Sequence, residues 1–146
     1  MKKVTMIAAM LIGLASFANK PTDVNDKVLK AFKQTFTSAK DVVWFEYGDS
    51  YTVNFKLAEI KTRINYDKDG NIIESFRYYG ESQLPIHISN KIQKKFEGMK
   101  IFGVTERSMD NDVVFYVMLE GKKDWVEVKS DINGYLEVEQ KFSKAE

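Results

Sequence analysis

The sequence has 146 residues, a formal net charge of +1 and no cysteine. Its length suits one compact domain or two small units that share a core. The lack of cysteine excludes disulfides, thiol catalysis and a lipid-modified cysteine, and the balanced charge argues against a nucleic-acid partner.

The first eighteen residues have the three regions of a secretory signal peptide. Residues 1–3 supply positive charge, residues 4–14 are almost entirely apolar, and residues 15–18 have small side chains at the positions that signal peptidase reads. The flanking lysines favour export over a buried N-terminal helix, and the apolar run is too short for a membrane span. We therefore predict cleavage after Ala18 and no integral membrane span in the mature protein. The mature chain then has 20 basic and 21 acidic residues, a net charge of 20 − 21 = −1.

Two segments have the periodicity of amphipathic helices. In residues 23–37, apolar side chains recur at every fourth position from Val24 to Phe36. The second helix is predicted to begin at Leu84-Pro85, with Ile88, Ile92 and Phe96 on its apolar face. The basic stretch of residues 91–95 falls opposite that face, which predicts a solvated surface.

Four strand patterns follow each helix, because apolar and polar side chains alternate between turn residues. After the first helix, the predicted strands are residues 42–47, 50–57, 59–66 and 71–79. After the second helix, they are residues 101–107, 113–120, 123–130 and 135–142.

The two groups align with each other. Phe36 corresponds to Phe96 at a shift of 60, and Gly70 to Gly134 at a shift of 64, after a longer loop at residues 108–112. Short connections favour antiparallel hairpins, and no Gly/Ser/Pro-rich linker divides the halves. We therefore predict an α+β fold: a tandem repeat of one helix plus four antiparallel strands, joined into a single antiparallel sheet with both helices on one face. Repeat one covers about residues 21–80 and repeat two about residues 81–143; two separate small units are the alternative.

Several segments carry a family resemblance: VLKAFKQTFTSAKDVVWFEYGDSYTVNF, YDKDGNIIES, the LP that opens the second helix, and DINGYLEVEQK. Across about residues 21–142, the chain resembles the PepSY-like proteins of Bacteroidetes, whose fold is similar to that of the beta-lactamase inhibitory protein. The resemblance implies one PepSY-like domain in residues 19–146, a periplasmic or secreted location, and no known catalytic machinery. No segment matches the inhibitor's beta-lactamase-binding loops, so inhibition is not implied.

The stretch NYDKDGN, residues 65–71, resembles the start of a calcium-binding loop. Position 12 of such a loop should be a bidentate glutamate, but here it is Phe76, and the flanks have strand composition. The equivalent stretch in repeat two has Lys129 at the first ligand position and shares only Asp-x-Asp/Asn-Gly. This shared pattern predicts a hairpin turn in both repeats. Weak calcium binding by Asp67 and Asp69 stays open.

No residue pattern identifies a catalytic centre. The single histidine, His87, has no Cys or carboxylate at helical spacing for a zinc site, and no serine lies in a nucleophile elbow. We therefore predict no enzymatic activity, no metal and no cofactor. Paired carboxylates remain open, since the sequence contains 21 acids and singles out no pair.

The sheet face away from the helices is the candidate binding face. Strand alternation predicts that Val42 and Phe102 face the helices with the core residues. The opposite parity predicts an open face rich in aromatic residues and arginine, the composition of a protein-recognition surface. Its candidate members are Phe45, Tyr47, Arg63, Arg77, Tyr79, Tyr116, Met118 and Trp125. Trp125 is the most informative, because its counterpart in repeat one is Lys61.

Two classes of function remain. The first is an exported, non-enzymatic binding or inhibitor-like module that engages an envelope or extracellular protein or peptide, and that we expect to be monomeric. The alternative is a binder of a small ligand or cell-envelope component, a glycan or lipid. Equally, the aromatic side chains of the open face could serve only to pair across strands and stabilise the sheet.

Overall fold

The computed structural model describes residues 23–145, so the predicted signal peptide lies outside the described residues. One helix and four strands follow each other twice along the chain. The elements of the first repeat are α1 (Asp26–Thr35), β1 (Lys40–Tyr47), β2 (Ser50–Leu57), β3 (Ile60–Asp67) and β4 (Ile72–Tyr79). After a short 3-10 turn at Glu81–Gln83, the second repeat has α2 (Ile86–Lys95), β5 (Lys100–Met109), β6 (Asp112–Glu120), β7 (Asp124–Asp131) and β8 (Leu136–Ser143).

All eight strands form one antiparallel sheet in the order of the sequence. β4 pairs directly with β5, so the two repeats join edge to edge. This arrangement confirms the predicted α+β fold and its repeat description. Within residues 23–145, neither α-helix has the length and apolar character needed to cross a bilayer.

Each helix covers a hydrophobic core of its own. Val28 and Phe32 of α1 pack with Val53, Phe55 and Ile64 of the first four strands. In repeat two, α2 packs in the same way on β5, β6 and β7, through the buried residues Ile88, Ile92, Val104, Val117, Leu119 and Val128. Burying one such side chain contributes about 1.5–3 kcal/mol. The periodic apolar residues of each helix are therefore what holds it to the sheet.

α1 begins at a side-chain cap. Asn25 Oδ1 accepts a hydrogen bond from the Val28 backbone N–H at 3.0 Å, which satisfies one of the unpaired donors of the first turn. Asn25 Nδ2 donates to the Lys68 carbonyl at 2.9 Å. The cap therefore also ties the helix to the β3–β4 turn.

The NYDKDGN stretch forms a tight hairpin turn. Asp67 Oδ1 accepts from the backbone N–H groups of Asp69 and Asn71, each at 2.9 Å, and Gly70 has φ of +87°. In repeat two, Asp131 Oδ1 accepts from Asn133 and Tyr135 in the same way. Asp67 Oδ2 is bonded to Asn71 Nδ2, and Asp69 is paired with Lys27 at 2.8 Å. A calcium ion would have to displace these bonds.

The predicted orientation of Val42 and Phe102 was wrong. Val42 is 39% exposed and Phe102 is 68% exposed. Each lies where the strand register is irregular, between Lys40 and Val43 in β1 and between Ile101 and Gly103 in β5. The extra residue of a bulge interrupts the alternation of faces. Ile101, paired with Leu119, packs against the core instead of Phe102.

Candidate functional site

The sheet face opposite the helices, called here the open face, carries three features: a groove in repeat one, a polar ladder at the centre and an aromatic cluster in repeat two. Strand pairing defines its members, because directly opposed residues share a face. In β2, Val53 and Phe55 are buried under α1, so Thr52 and Asn54, which alternate with them, lie on the open face. The residues paired with Thr52 and Asn54 therefore lie on the open face too.

Three of the candidate binding residues meet in one groove of about 280 Å³, lined by Phe45, Tyr47, Thr52, Asn54, Arg63 and Asn65. The rings of Phe45 and Tyr47 stack at 6.5 Å between centroids. Arg63 Nε donates to Asn54 Oδ1 at 3.0 Å, which holds the guanidinium across β2 and β3. The structure therefore brings together three of the eight residues predicted for the binding face, Phe45, Tyr47 and Arg63.

A second groove of about 300 Å³ continues from the first, because both are lined by Asn54 and Arg63. Lys56, Lys61 and Tyr78 line it, together with Asp41. Asp41 pairs with Lys56 at 2.8 Å, and this contact lowers the pKa of the Asp41 carboxyl and raises the pKa of Lys56. Lys61 and Arg63 leave an excess of positive charge. We call the two together the first-repeat groove.

The centre of the open face is a ladder of polar side chains across β2 to β5. Thr52 Oγ1 donates to Asn65 Oδ1 at 2.8 Å, and Asn65 Nδ2 donates to Glu74 Oε1 at 2.9 Å. Arg107 Nε then donates to Glu74 Oε2 at 2.9 Å. Each side chain is half-buried and paired. This ladder fixes side-chain positions across the boundary between the repeats, and sequence reasoning missed it because it depends on the register between β4 and β5.

The aromatic cluster lies at the β5, β6 and β7 side of the open face. Phe102 meets Trp125 edge to face at 5.0 Å, and Lys144 Nζ lies 4.9 Å from the Trp125 ring centroid. Tyr116, paired with Thr105, and Met118, paired with Gly103, are half-buried on the same face. Tyr116, Met118 and Trp125 thus point as predicted, but they lie in the other repeat from Phe45, Tyr47 and Arg63.

Arg77 and Tyr79 are on the helix face, so their predicted orientation was wrong. Arg77 pairs with Thr62 and Tyr79 with the buried Val104. A register irregularity of β4 against Asn65 and Tyr66 shifts the alternation by one residue. The sequence of residues 71–79 does not indicate this shift, because apolar residues occur at both odd and even positions of the strand. Phe76 and Tyr78 take the places on the open face.

Arg77 and Tyr79 instead form a cluster around Glu106. Arg77 Nη1 donates to Glu106 Oε1 at 3.1 Å, and the Tyr79 hydroxyl donates to Glu106 Oε2. The Arg77 guanidinium also lies 5.4 Å from the Tyr79 ring centroid. Burial first, and the Glu106 carboxylate second, raise the pKa of Tyr79. This cluster joins β4 to β5 on the helix side.

No metal-binding group was found among residues 23–145, where no cluster of three or more His, Cys, Asp or Glu side chains has suitable geometry. His87 Nε2 donates to the Ile132 carbonyl at 3.0 Å. The histidine therefore links α2 to the β7–β8 turn.

Comparison with known proteins gives similarity at the level of structure. No family model matches the sequence, and no curated protein matches it. A BLIP-like protein from Bacteroides fragilis superposes with a TM-score of 0.67 at 16% identity, covering 84% of this chain and 89% of that one. A DUF2874 family protein from Bacteroides uniformis gives 0.65 at 14% identity, covering 82% and 88%.

A third structure, of a Bacteroides eggerthii protein provisionally described as periplasmic, gives a TM-score of 0.65 at 15% identity, covering 82% of this chain and 88% of that one. All three matches extend over most of both chains. Identities this low establish the fold and nothing about activity. The chain has the fold of the BLIP-like proteins of Bacteroides.

Proposed function

We propose that this protein is an exported, non-enzymatic module that binds a protein or peptide segment carrying acidic residues through the open face of its sheet. The observation that carries the proposal is the first-repeat groove, in which stacked aromatic rings adjoin Arg63 and Lys61 lies further along the same face, which neither α-helix of residues 23–145 covers. The signal-like residues 1–18 and the Bacteroides eggerthii neighbour support a periplasmic location, while the PepSY-like relationship rests on the sequence segments quoted above.

The size of the open face favours a macromolecular partner. Eight strands at about 4.8 Å spacing give a width of about 34 Å, and eight residues at about 3.3 Å give a length of about 26 Å. The area of the open face, this width multiplied by this length, is close to the area of about 800 Å² that each partner buries in a standard protein interface. A small ligand would occupy only part of this surface.

The charge of the groove sets the chemistry of the partner. The few residues that dominate binding energy in known interfaces are enriched in Trp, Tyr and Arg. Lys61 and Arg63 are exposed, whereas Lys56 is paired with Asp41 at 2.8 Å. An acidic side chain of the partner seated beside the Phe45 and Tyr47 rings would pair with Arg63, and one further along the groove would pair with Lys61.

The proposal can be tested with the mature chain immobilised against envelope extract, followed by titration of the captured protein. K61A/R63A removes two charges from the groove, and K30A/K33A removes two exposed charges from α1 as a matched control. We expect affinity to fall at least about tenfold in K61A/R63A and in Y47A, and binding to weaken with salt. Equal affinity of the captured protein for wild type, K61A/R63A and Y47A would refute the open-face proposal.

A further inference from the structure

A separate groove lies between α2 and the turn that joins β7 to β8. It has a volume of about 590 Å³ and is lined by Lys91, Lys94, Lys95, Asn133, Gly134, Tyr135 and Leu136. The groove is shallow and largely open to solvent, so a ligand would lie along it with one side exposed. The groove is built on the helix side, so it is distinct from the open face and independent of the function proposed for that face.

Three lysine side chains line this groove. Lys91 Nζ donates to the Asn133 and Gly134 carbonyls at 3.0 and 3.2 Å, and Lys95 Nζ to the Leu136 carbonyl at 3.3 Å. These carbonyls satisfy the donors but do not cancel the charge. Among residues 23–145, none of the ion pairs within 4.0 Å involves these lysines, and Lys94 makes no hydrogen bond either. Lys91, Lys94 and Lys95 are exposed, as the sequence predicted, and they give the shallow groove a cationic character.

The fold does not require these side chains, because the first repeat builds the same turn without them. The counterparts of Lys91, Lys94 and Lys95 are Ala31, Gln34 and Thr35, and the counterpart of Tyr135 is Asn71. Cations near a helix C-terminus are favourable in general, which accounts for one or two lysines in the last turn. Lys91, one turn earlier, ties α2 to the β7–β8 turn through the Asn133 and Gly134 carbonyls, but neither role accounts for the tyrosine beside it.

Tyr135 gives the site a second kind of contact. Tyr135 lines the groove and is 73% exposed, although buried aromatic surface is normally favourable. An exposed ring can stack on the C–H face of a sugar, while ammonium groups form charge-assisted hydrogen bonds with a carboxylate. From this combination we infer that the groove binds a carboxylate-bearing saccharide of a few rings.

The test uses trigalacturonate as the probe and the whole mature chain, with binding measured by calorimetry. K94Q and Y135N each introduce the residue that repeat one has at the equivalent position, so both variants should fold. K33Q, in the last turn of α1, is the matched control. We expect trigalacturonate to bind the wild type and K33Q equally, and K94Q and Y135N each to lose about tenfold in affinity. Backbone amide shifts of residues 133–136 on titration of the wild type locate the site without relying on a variant.

Three results would overturn the inference. Trigalacturonate could leave the amides of residues 133–136 unshifted, or neutral galactotriose could bind as tightly as the acidic probe. Inorganic phosphate could also bind with the same affinity while Y135N has no effect on either ligand, which would show a general anion site instead of a saccharide site. Weaker binding at higher salt, with the tyrosine dependence retained, supports the inference.

Discussion

Two tyrosines of the helix face have hydroxyl groups in opposite surroundings. Tyr66 is 1% exposed, and its hydroxyl has no hydrogen-bond partner among the described residues. Burial raises its pKa to about 12. The Tyr79 hydroxyl, by contrast, donates to Glu106. A buried polar group costs free energy when it is unpaired and stabilises modestly when it is paired.

The variants Y66F and Y79F should therefore change stability with opposite signs. We expect Y66F to raise the free energy of unfolding by about 1 kcal/mol and Y79F to lower it by about 1 kcal/mol, because only the second loses a hydrogen bond. Urea unfolding at neutral pH measures both. If Y66F lost as much stability as Y79F, the Tyr66 hydroxyl could not be the unpaired buried group described here.

The raised pKa of Tyr66 adds a pH dependence. A folded-state pKa above the unfolded value of 10.0 means that the neutral hydroxyl is favoured in the fold. This contribution is complete below pH 10.0 and is lost as pH rises towards about 12. Wild type should lose more stability than Y66F over this window.

The Asp67 carboxylate stabilises the β3–β4 turn only while it is ionised. The Asn71 side chain and backbone, and the Asp69 and Gly70 amides, hold the pKa of Asp67 below its usual value of 3.8. For a depressed pKa, the stabilisation is present above 3.8 and is lost as pH falls through the lower folded value. We expect D67A to be less stable than wild type at neutral pH and to approach it in acid. Glu97, an exposed carboxylate, provides the control E97A, whose difference from wild type should not follow this pattern.

At the scale of the elements, the sequence was informative where one periodicity prevailed. The fourfold spacing from Val24 to Phe36 predicted α1, and the shared Asp-x-Asp/Asn-Gly pattern predicted both turns. Prediction failed at the bulges of β1 and β5 and at the register shift of β4, because one extra residue reverses the faces of a strand. Arg77, Tyr79 and Phe102 were misplaced for this reason. Pairing between strands of different repeats, which creates the Glu74–Arg107 bond, leaves no periodic signal.

The bulge in β5 can be tested with adjacent substitutions. Ile101 packs against the core under α2, whereas Phe102 is largely exposed beside Trp125. We expect I101A to lower the free energy of unfolding by about 2 kcal/mol and F102A by less than about 1 kcal/mol. Thermal or urea unfolding of the two variants provides the comparison. A larger loss of stability in F102A than in I101A would show that Phe102 lies in the core and that β5 has no bulge at this position.

At the scale of the whole molecule, the two hydrophobic cores are separated by a polar seam. On the helix face of β4 and β5, Ser75 pairs with Ser108 and Arg77 with Glu106. The cores under α1 and α2 therefore belong to separate clusters. The repeats are connected through the β4–β5 hydrogen bonds, the cluster around Glu106 and the Glu74–Arg107 bond.

Despite this seam, we expect the repeats to unfold together. Each has roughly 60 residues, a size at which an isolated domain is only marginally stable, and separating them would expose two unpaired strand edges. Trp44 lies in repeat one and Trp125 in repeat two, so W125F and W44F leave one fluorescent reporter in each half. In each variant, the fluorescence transition in urea should coincide with the loss of far-UV circular dichroism.

Glu106 tests whether the seam itself transmits this coupling. Its side chain is 16% exposed and accepts from both Arg77 and Tyr79. E106A leaves both donors without that acceptor, and we expect a loss of about 2 kcal/mol. Because β4 and β5 belong to different repeats, the Trp44 and Trp125 transitions should move to lower urea by the same amount. If only the Trp125 transition moves, the second repeat unfolds on its own and the single sheet is two independent units placed side by side.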